Sequence, residues 1–321
     1  MAEKTKNHFV PNFILKKFSI SKDDDVPRIA FLTKSNVLNK NVPSKTQCQS
    51  RYFYSKEKIS TLLNKFQHIN LNPIFLDPNK TLEVSLDDDL ENKFGEILTQ
   101  FDKKYDIEIL KNEEDFIKEY LIIQFLRTKK FQEAINAGKK TEQFPHQDFK
   151  ETLKEKIICE SVFPNELVEN LLNSPKYQEL LEKYTNNSNY KFEQYRDFED
   201  RHSIEIISKR ARDDFLEFYG LKDKRITLLV NNTDIPFILS DWGTLVTELI
   251  KEYPNGDKTK EYEFYLSVSP NHMILFSNKT EKIKIVTKDF IKEINELLYK
   301  ECYEIVYSEN HAYLETLKLS P

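Results

Sequence analysis

Between Phe116 and Leu126 the chain reads Phe-Ile-Lys-Glu-Tyr-Leu-Ile-Ile-Gln-Phe-Leu. Wound as a helix, this stretch has apolar side chains on almost every side. Such a helix cannot sit on a surface, so the rest of the molecule must be built around it. Gln124 and Arg127 are three residues apart and share one side of it, with Ile117 and Tyr120 before them and Phe131 after. A buried amide or guanidinium needs partners, because leaving one unpaired costs on the order of several kcal/mol; for Arg127 an acidic or carbonyl partner is expected, with Asp241 and Glu91 the leading candidates. Two readings follow. Either the pair belongs to a structural polar network that fixes helix against sheet, or it contacts a ligand.

Around this segment the periodicity divides the chain. Pro11 can open a short helix whose Phe13, Ile14, Leu15 and Phe18 form an apolar plug. Arg28–Thr33 and Val37–Val42 read as short strands. Arg51–Tyr54 reads as an aromatic strand or an anchor. Leu86, Leu90, Phe94, Ile97, Leu98 and Phe101 recur at helical spacing, predicting a helix over Leu82–Asp106. A second helix is expected from about Asn112, as its cap, to Ala137, with further helices near 146–158, 164–184 and 190–219. After Gly220 the period shortens. Arg225–Val230 and Pro236–Leu239 read as a hairpin around 231–234, and Tyr262–Val268 with Met273–Ser277 as a second one. The loop at 254–260 is expected to join paired strands. A last helix spans Thr287 to about Tyr303, and Ile305–Tyr307 suits a short strand. The fold class predicted is α+β: an antiparallel sheet, largely from 225–277, packed against a largely helical middle region. No repeat or low-complexity linker divides the 321 residues, so one interlocked domain is expected over 1–321, with a helical insertion-like segment at about 140–220.

Composition excludes several classes. Five glycines and no GxGxxG or GxxxxGK[ST] string argue against a glycine-rich nucleotide loop. A net charge of −5 does not favour a nucleic-acid surface. The basic clusters at Lys103-Lys104, Lys129-Lys130 and Lys209-Arg210-Arg212 read as solvated helix faces. Cys48, Cys159 and Cys302 are odd in number and far apart, which suits a reducing compartment. No run reaches the length of a membrane span, and the first residues hold no apolar signal core. A cytoplasmic protein without membrane contact is the expectation. No CxxC or HExxH pattern marks a metal site.

Two further residues invite chemistry. His8 stands before the apolar plug and could serve as a general base, a metal ligand or a plain N-terminal anchor. Asp241 ends an apolar strand and could cap the next turn, pair with Arg127 or bind a cation. Ser240 lacks a GxSxG context, so a nucleophile elbow is unsupported. His202 and His272 read as solvated.

Several strings together resemble a known family. His8-Phe9-Val10-Pro11, followed by Leu15, is similar to its H-x-x-P-x-x-x-L motif. Gln124-Phe125-Leu126-Arg127-Thr128 is similar to its Q-x-x-R-T motif. Phe237-Ile238-Leu239-Ser240-Asp241 resembles its strand-end S-D motif, and Val268-Ser269-Pro270-Asn271 its S-P turn. Asn295, with Val306-Tyr307-Ser308, resembles its C-terminal signature, and Glu91 matches a helix glutamate. The family is the bacterial one catalogued as domain of unknown function 4238. This chain departs from it at Asn7, where the family often doubles the histidine. It departs also at Leu239, Trp242 and Ser267, where threonine, asparagine and proline are common.

The resemblance names no reaction. The residues compose a site of His8 and Asp241 as catalytic groups, with Gln124, Arg127 and Asn295 contacting substrate. Glu91 and Asp241 would hold a divalent cation. If the chain is an enzyme, these groups suit a hydrolase of a phosphate-containing substrate: Arg127 holds the anion and His8 acts as base. The alternative is a non-enzymatic binding or regulatory module, with the same network structural and a protein partner docking on the charged segment 140–220.

Overall fold

The central helix forms as its composition requires. In a computed structural model that describes residues 6–21, 25–51, 54–65, 69–75, 77–132, 174, 198–252 and 258–318, all but three of its residues are buried. Even Lys118 is buried, where it donates to Glu114 at 3.0 Å and to the Lys222 carbonyl at 3.2 Å.

The chain enters through β1 (Lys6–His8), which pairs antiparallel with β4 (Gln49–Arg51). Between them lie α1 (Asn12–Lys17), β2 (Arg28–Thr33) and β3 (Leu38–Pro43). Pro11 stands at the N-cap of α1 as expected, and Phe9, Val10, Ile14, Leu15 and Phe18 are buried. The middle region is helical: α2 (Ile59–Lys65), α3 (Leu82–Ser85), α4 (Asn92–Lys104), α5 (Ile107–Asn112) and α6 (Glu114–Leu126), then α7 (Phe198–Ile207) and α8 (Lys209–Phe218). The helix expected over 82–106 is interrupted. Leu86–Glu91 between α3 and α4 is a π-helical turn, and Tyr105 ends α4 in the left-handed region at φ 52°. Asn112 ends α5 rather than capping α6. Helix α6 stops at Leu126, because the Thr128 hydroxyl donates to the Phe125 carbonyl and accepts from the Phe131 N–H. The helices expected at 146–158 and 164–184, Cys159, and most of the 140–220 segment lie outside the described residues.

After Gly220 come β5 (Arg225–Val230), β6 (Leu239–Ser240), β7 (Thr244–Glu252), β8 (Lys258–Ser269), β9 (His272–Ser277) and β10 (Ile283–Ile285). Helix α9 (Lys288–Glu301), β11 (Ile305–Ser308) and α10 (His311–Lys318) complete the described chain. Five strands form one sheet in the order β10-β5-β9-β8-β7, antiparallel except for the β10–β5 pair. The fold is α+β, with this sheet against a helical middle region. Strand β8 alternates between two cores. Phe264 and Leu266 belong to the core that includes α6, while Tyr265 belongs to a second one with Ile291, Ile294 and Leu298 of α9.

The expected hairpin from 225–230 and 236–239 does not form. Its two arms enter different sheets, β5 the large one and β6 a four-stranded sheet of order β3-β2-β11-β6. The turn signal is real, but its residues serve another end. Asn231 Nδ2 donates to the Ile235 and Pro270 carbonyls at 2.7 and 3.2 Å, which folds 231–235 back on itself. Asn295 of α9 then captures the next stretch: it accepts from the Ile238 N–H at 3.1 Å and donates to the Pro236 carbonyl at 2.8 Å. The Ile305–Tyr307 run is an inner strand of the small sheet, flanked by β2 and β6.

Replacing Asn295 by Ala strands a buried N–H and a buried carbonyl. The expected loss is about 1–3 kcal/mol for each group, read by urea denaturation. A change within about 0.5 kcal/mol, the range of ordinary surface substitutions, would contradict this role.

Candidate functional site

Arg127 follows the last turn of α6 with its side chain fully buried. Its Nη2 donates to the His8 carbonyl and to Glu91 Oε1, each at 2.7 Å. One turn earlier, Gln124 Nε2 donates to the Phe9 carbonyl at 2.7 Å. The two polar side chains of the apolar helix thus grip consecutive carbonyls of the N-terminal segment. Tyr54 adds its hydroxyl to the His8 carbonyl at 3.3 Å. Burial opposes the charge on Arg127, but Tyr54, Glu91 and Tyr120 around it outweigh that and hold its pKa above the ordinary value. Glu91 reaches this position from the last residue of the π-helical turn.

Of the two carboxylates expected as partners for Arg127, Glu91 makes the pair and Asp241 does not. The Asp241 carboxylate instead accepts three backbone N–H groups, from Tyr303 and Glu304 at 2.8 Å and Ile305 at 3.0 Å. The cause is the turn that follows β6. Gly243 donates its N–H to the Ser240 carbonyl and takes φ +75°, which leaves Asp241 facing the start of β11. Burial pushes the Asp241 carboxyl up to about 6, against the pull of those three donors. The S-D turn still meets the central helix, through packing: a Cβ on Gly243 would stand 2.8 Å from Gln124 Nε2.

The structure therefore joins His8, Glu91, Gln124 and Arg127, and gives Asp241 and Asn295 separate tasks. His8 takes part through its carbonyl, with a half-buried side chain. Asn295 is fully buried, with its amide oxygen and nitrogen both engaged by backbone. Glu91 and Asp241, expected to share a cation, hold different partners. Among the described residues no group of three or more His, Cys, Asp or Glu is placed to hold a metal ion. An open cleft of about 590 Å³ lies beside the network, lined by Phe13, Lys17, Glu91, Asn92, Gly95 and Glu96. Glu91 thus borders the cleft, while its partner Arg127 is sealed.

Other residues differ from expectation. His202 is fully buried, not solvated: its Nε2 lies 2.9 Å from the Leu126 carbonyl and its ring stacks on Tyr54. Its neighbours Ile204, Ile206 and Ile207 are the signal that could have revealed this. His272 is half-buried, within 3.2 Å of Ser269 Oγ, and burial lowers its pKa. Lys130 is not on a solvated face either. It lies 3.9 Å over the Trp242 ring and donates to the Glu301 carbonyl, and burial lowers its pKa.

A family model described as "Protein of unknown function (DUF4238)" matches residues 6–312. The chain belongs to this family. No curated protein and no solved structure matches it. The strings that resemble DUF4238 motifs are, in this chain, the points where separate segments are tied together: His8 to Arg127, Gly243 to Gln124, Asp241 to the start of β11, and Asn295 to residues 236–238.

Two outcomes follow. Gly243→Ala combines a left-handed backbone with a clash against Gln124, and should cost about 1–3 kcal/mol by chemical denaturation; an unchanged midpoint would show that Gln124 moves freely. The second concerns pH. Asp241 titrates near 6 in the fold against 3.8 as its ordinary value, so the native state holds its proton more tightly than the unfolded chain does. Its contribution to stability is full below about pH 4 and is lost as the pH rises through about 6. Unfolding free energy measured across that window should decline with pH in the wild type, and Asp241→Asn should flatten the decline. An identical slope in the variant would exclude Asp241 as its source.

Proposed function

We propose that this chain is a non-enzymatic binding or regulatory module, cytoplasmic and built as one interlocked domain, in which the His8–Glu91–Gln124–Arg127 network is structural. The observation that carries this reading is the use of Arg127. Nη2 of its buried guanidinium is engaged by a main-chain carbonyl and by Glu91, and Gln124 by a second carbonyl. Groups so engaged set the position of the N-terminal segment. The partner would be a protein recognised through the charged 140–220 segment. In the described part of it, α8 carries Lys209–Asp213 and Arg210–Asp214 pairs, each at 3.5 Å on exposed side chains.

A hydrolase of a phosphate-containing substrate is the second reading, and two observations favour it. Glu91 opens on the cleft, and Arg127 Nε and Nη1 have no acceptor among the described residues. An anion that displaced Glu91 would find those donors.

One set of measurements separates the readings. Phosphate release from nucleotides and p-nitrophenyl phosphate is followed with Mg²⁺ or Mn²⁺, beside melting curves of His8→Ala and Glu91→Ala. The module reading expects no turnover, and a loss of about 3–5 kcal/mol in Glu91→Ala, which leaves the Arg127 charge buried without its carboxylate. Turnover that His8→Ala abolishes at an unchanged melting temperature would replace it with the hydrolase.

A further inference from the structure

The cleft beside the network lies between α1 and α4 and has a volume of about 590 Å³, a size that suits a ligand. Gly95 lines it. The other two glycines among the described residues, Gly220 and Gly243, have a left-handed backbone that calls for glycine. Gly95 has not. It lies inside α4, where glycine is the poorest residue after proline. A Cβ there would meet nothing closer than the Phe13 ring at 3.8 Å, which is ordinary contact. Neither backbone nor packing therefore asks for glycine at this position. The missing side chain instead keeps space open between the Phe13 ring and the outer face of α4.

The rest of the lining says what suits that space. Glu91, Gly95 and Thr99 follow one another at four-residue spacing, and Asn92, Glu96 and Gln100 form the neighbouring row. Of the charged groups, Lys17 is paired with Asp102 and Glu91 with Arg127. Glu96 is exposed and has no ion-pair partner among the described residues. The Thr99 hydroxyl donates to the Gly95 carbonyl at 2.7 Å, so its oxygen has only acceptor lone pairs left to offer. The exposed amides of Asn92 and Gln100 add two carbonyl oxygens. The cleft thus combines acceptors, one uncompensated negative charge and an aromatic wall. A guanidinium answers all three: it is a cation, it carries five donors and no acceptor, and it stacks on aromatic faces. We propose that this cleft receives an arginine side chain of a protein partner, with the guanidinium held between Glu96 and the Phe13 ring. The proposal rests on the reading of the chain as a binding module, and it adds to the 140–220 segment a second point of contact with a defined chemistry.

The probe is an acetylated Gly-Arg-Gly amide, titrated into the full chain to about 20 mM, since a single side chain binds in the millimolar range. Binding is read from NMR shifts of the backbone amides of 91–100. The same peptide with lysine in place of arginine, and free spermidine, are run beside it. The arginine peptide should give saturable shifts, and the lysine peptide weaker ones. Glu96→Gln should weaken binding about two- to fivefold, as the loss of an exposed ion pair does. Gly95→Leu should fill the cleft and abolish the shifts. Gly95→Ala should weaken binding while raising the melting temperature, because alanine is the better helix former. A lower melting temperature in Gly95→Ala would show that the fold itself requires the glycine, and would overturn the argument. Absence of shifts with the arginine peptide, equal binding of the lysine peptide, or binding retained in Gly95→Leu overturns the site. Spermidine bound as tightly as the peptide overturns the protein partner in favour of a free polyamine. Failure of the peptide without phosphate release in the assay above removes the arginine site alone; phosphate release removes the module reading and this proposal with it.

Discussion

The grip of the central helix on two consecutive carbonyls, those of His8 and Phe9, is the contact on which the rest of the arrangement depends. Helix α6 is apolar on nearly all sides, and a helix of that kind has no preferred neighbour on hydrophobic grounds alone. Gln124 and Arg127 supply the direction. Each donates to the main chain of the N-terminal segment, whose carbonyls at those points must otherwise find partners away from water. Glu91 neutralises the guanidinium from a third segment. The π-helical turn that delivers it, Leu86–Glu91, is where the regular helix yields to this requirement.

The same device recurs wherever the chain passes from one layer to another. Asp241 collects three N–H groups where α9 gives way to β11. Asn295 holds residues 236–238, Asn231 closes the turn before them, and His202 meets the carbonyl at the end of α6. These are places without a strand or helix partner, and a buried polar side chain stands in for the missing backbone. A net hydrogen bond contributes only about 1 kcal/mol, but an orphaned buried group costs more than that. Such side chains therefore act less as added stability than as conditions for this path of the chain.

What could be read beforehand follows the range of the forces involved. Periodicity is local, so the buried α6, the Pro11 plug, the 262–277 hairpin and the α+β class were all legible. The burial of Arg127 and Gln124 followed from the helix they sit on, and Glu91 and Asp241 were both rational partners. Choosing between them required the turn at Gly243, where the left-handed backbone comes with a close approach to Gln124 that no adjacent residue announces. The false hairpin at 225–239 has the same origin. Asn231-Asn232-Thr233-Asp234 is sound turn chemistry, but whether the following run pairs with its predecessor depends on Asn295, some sixty residues on. His202 was misjudged because charged neighbours at Asp200, Arg201 and Glu205 masked the isoleucines beside it.

The small sheet carries a consequence for how the molecule is made. Its order places β2, from residues 28–33, beside β11, from 305–308, and β11 also flanks β6. An inner strand of that sheet thus leaves the ribosome about 270 residues after the strand beside it. Until it emerges, β2 has only β3 beside it and β6 has no strand neighbour among the described residues. Ala30 and Leu32 wait for Val306, their partner in the second core. Contacts of such long sequence separation close slowly, since loop entropy is lost before they form. From the synthesis of β2 until that of β11, the growing chain therefore carries an open apolar edge, which the arrival of Val306 closes.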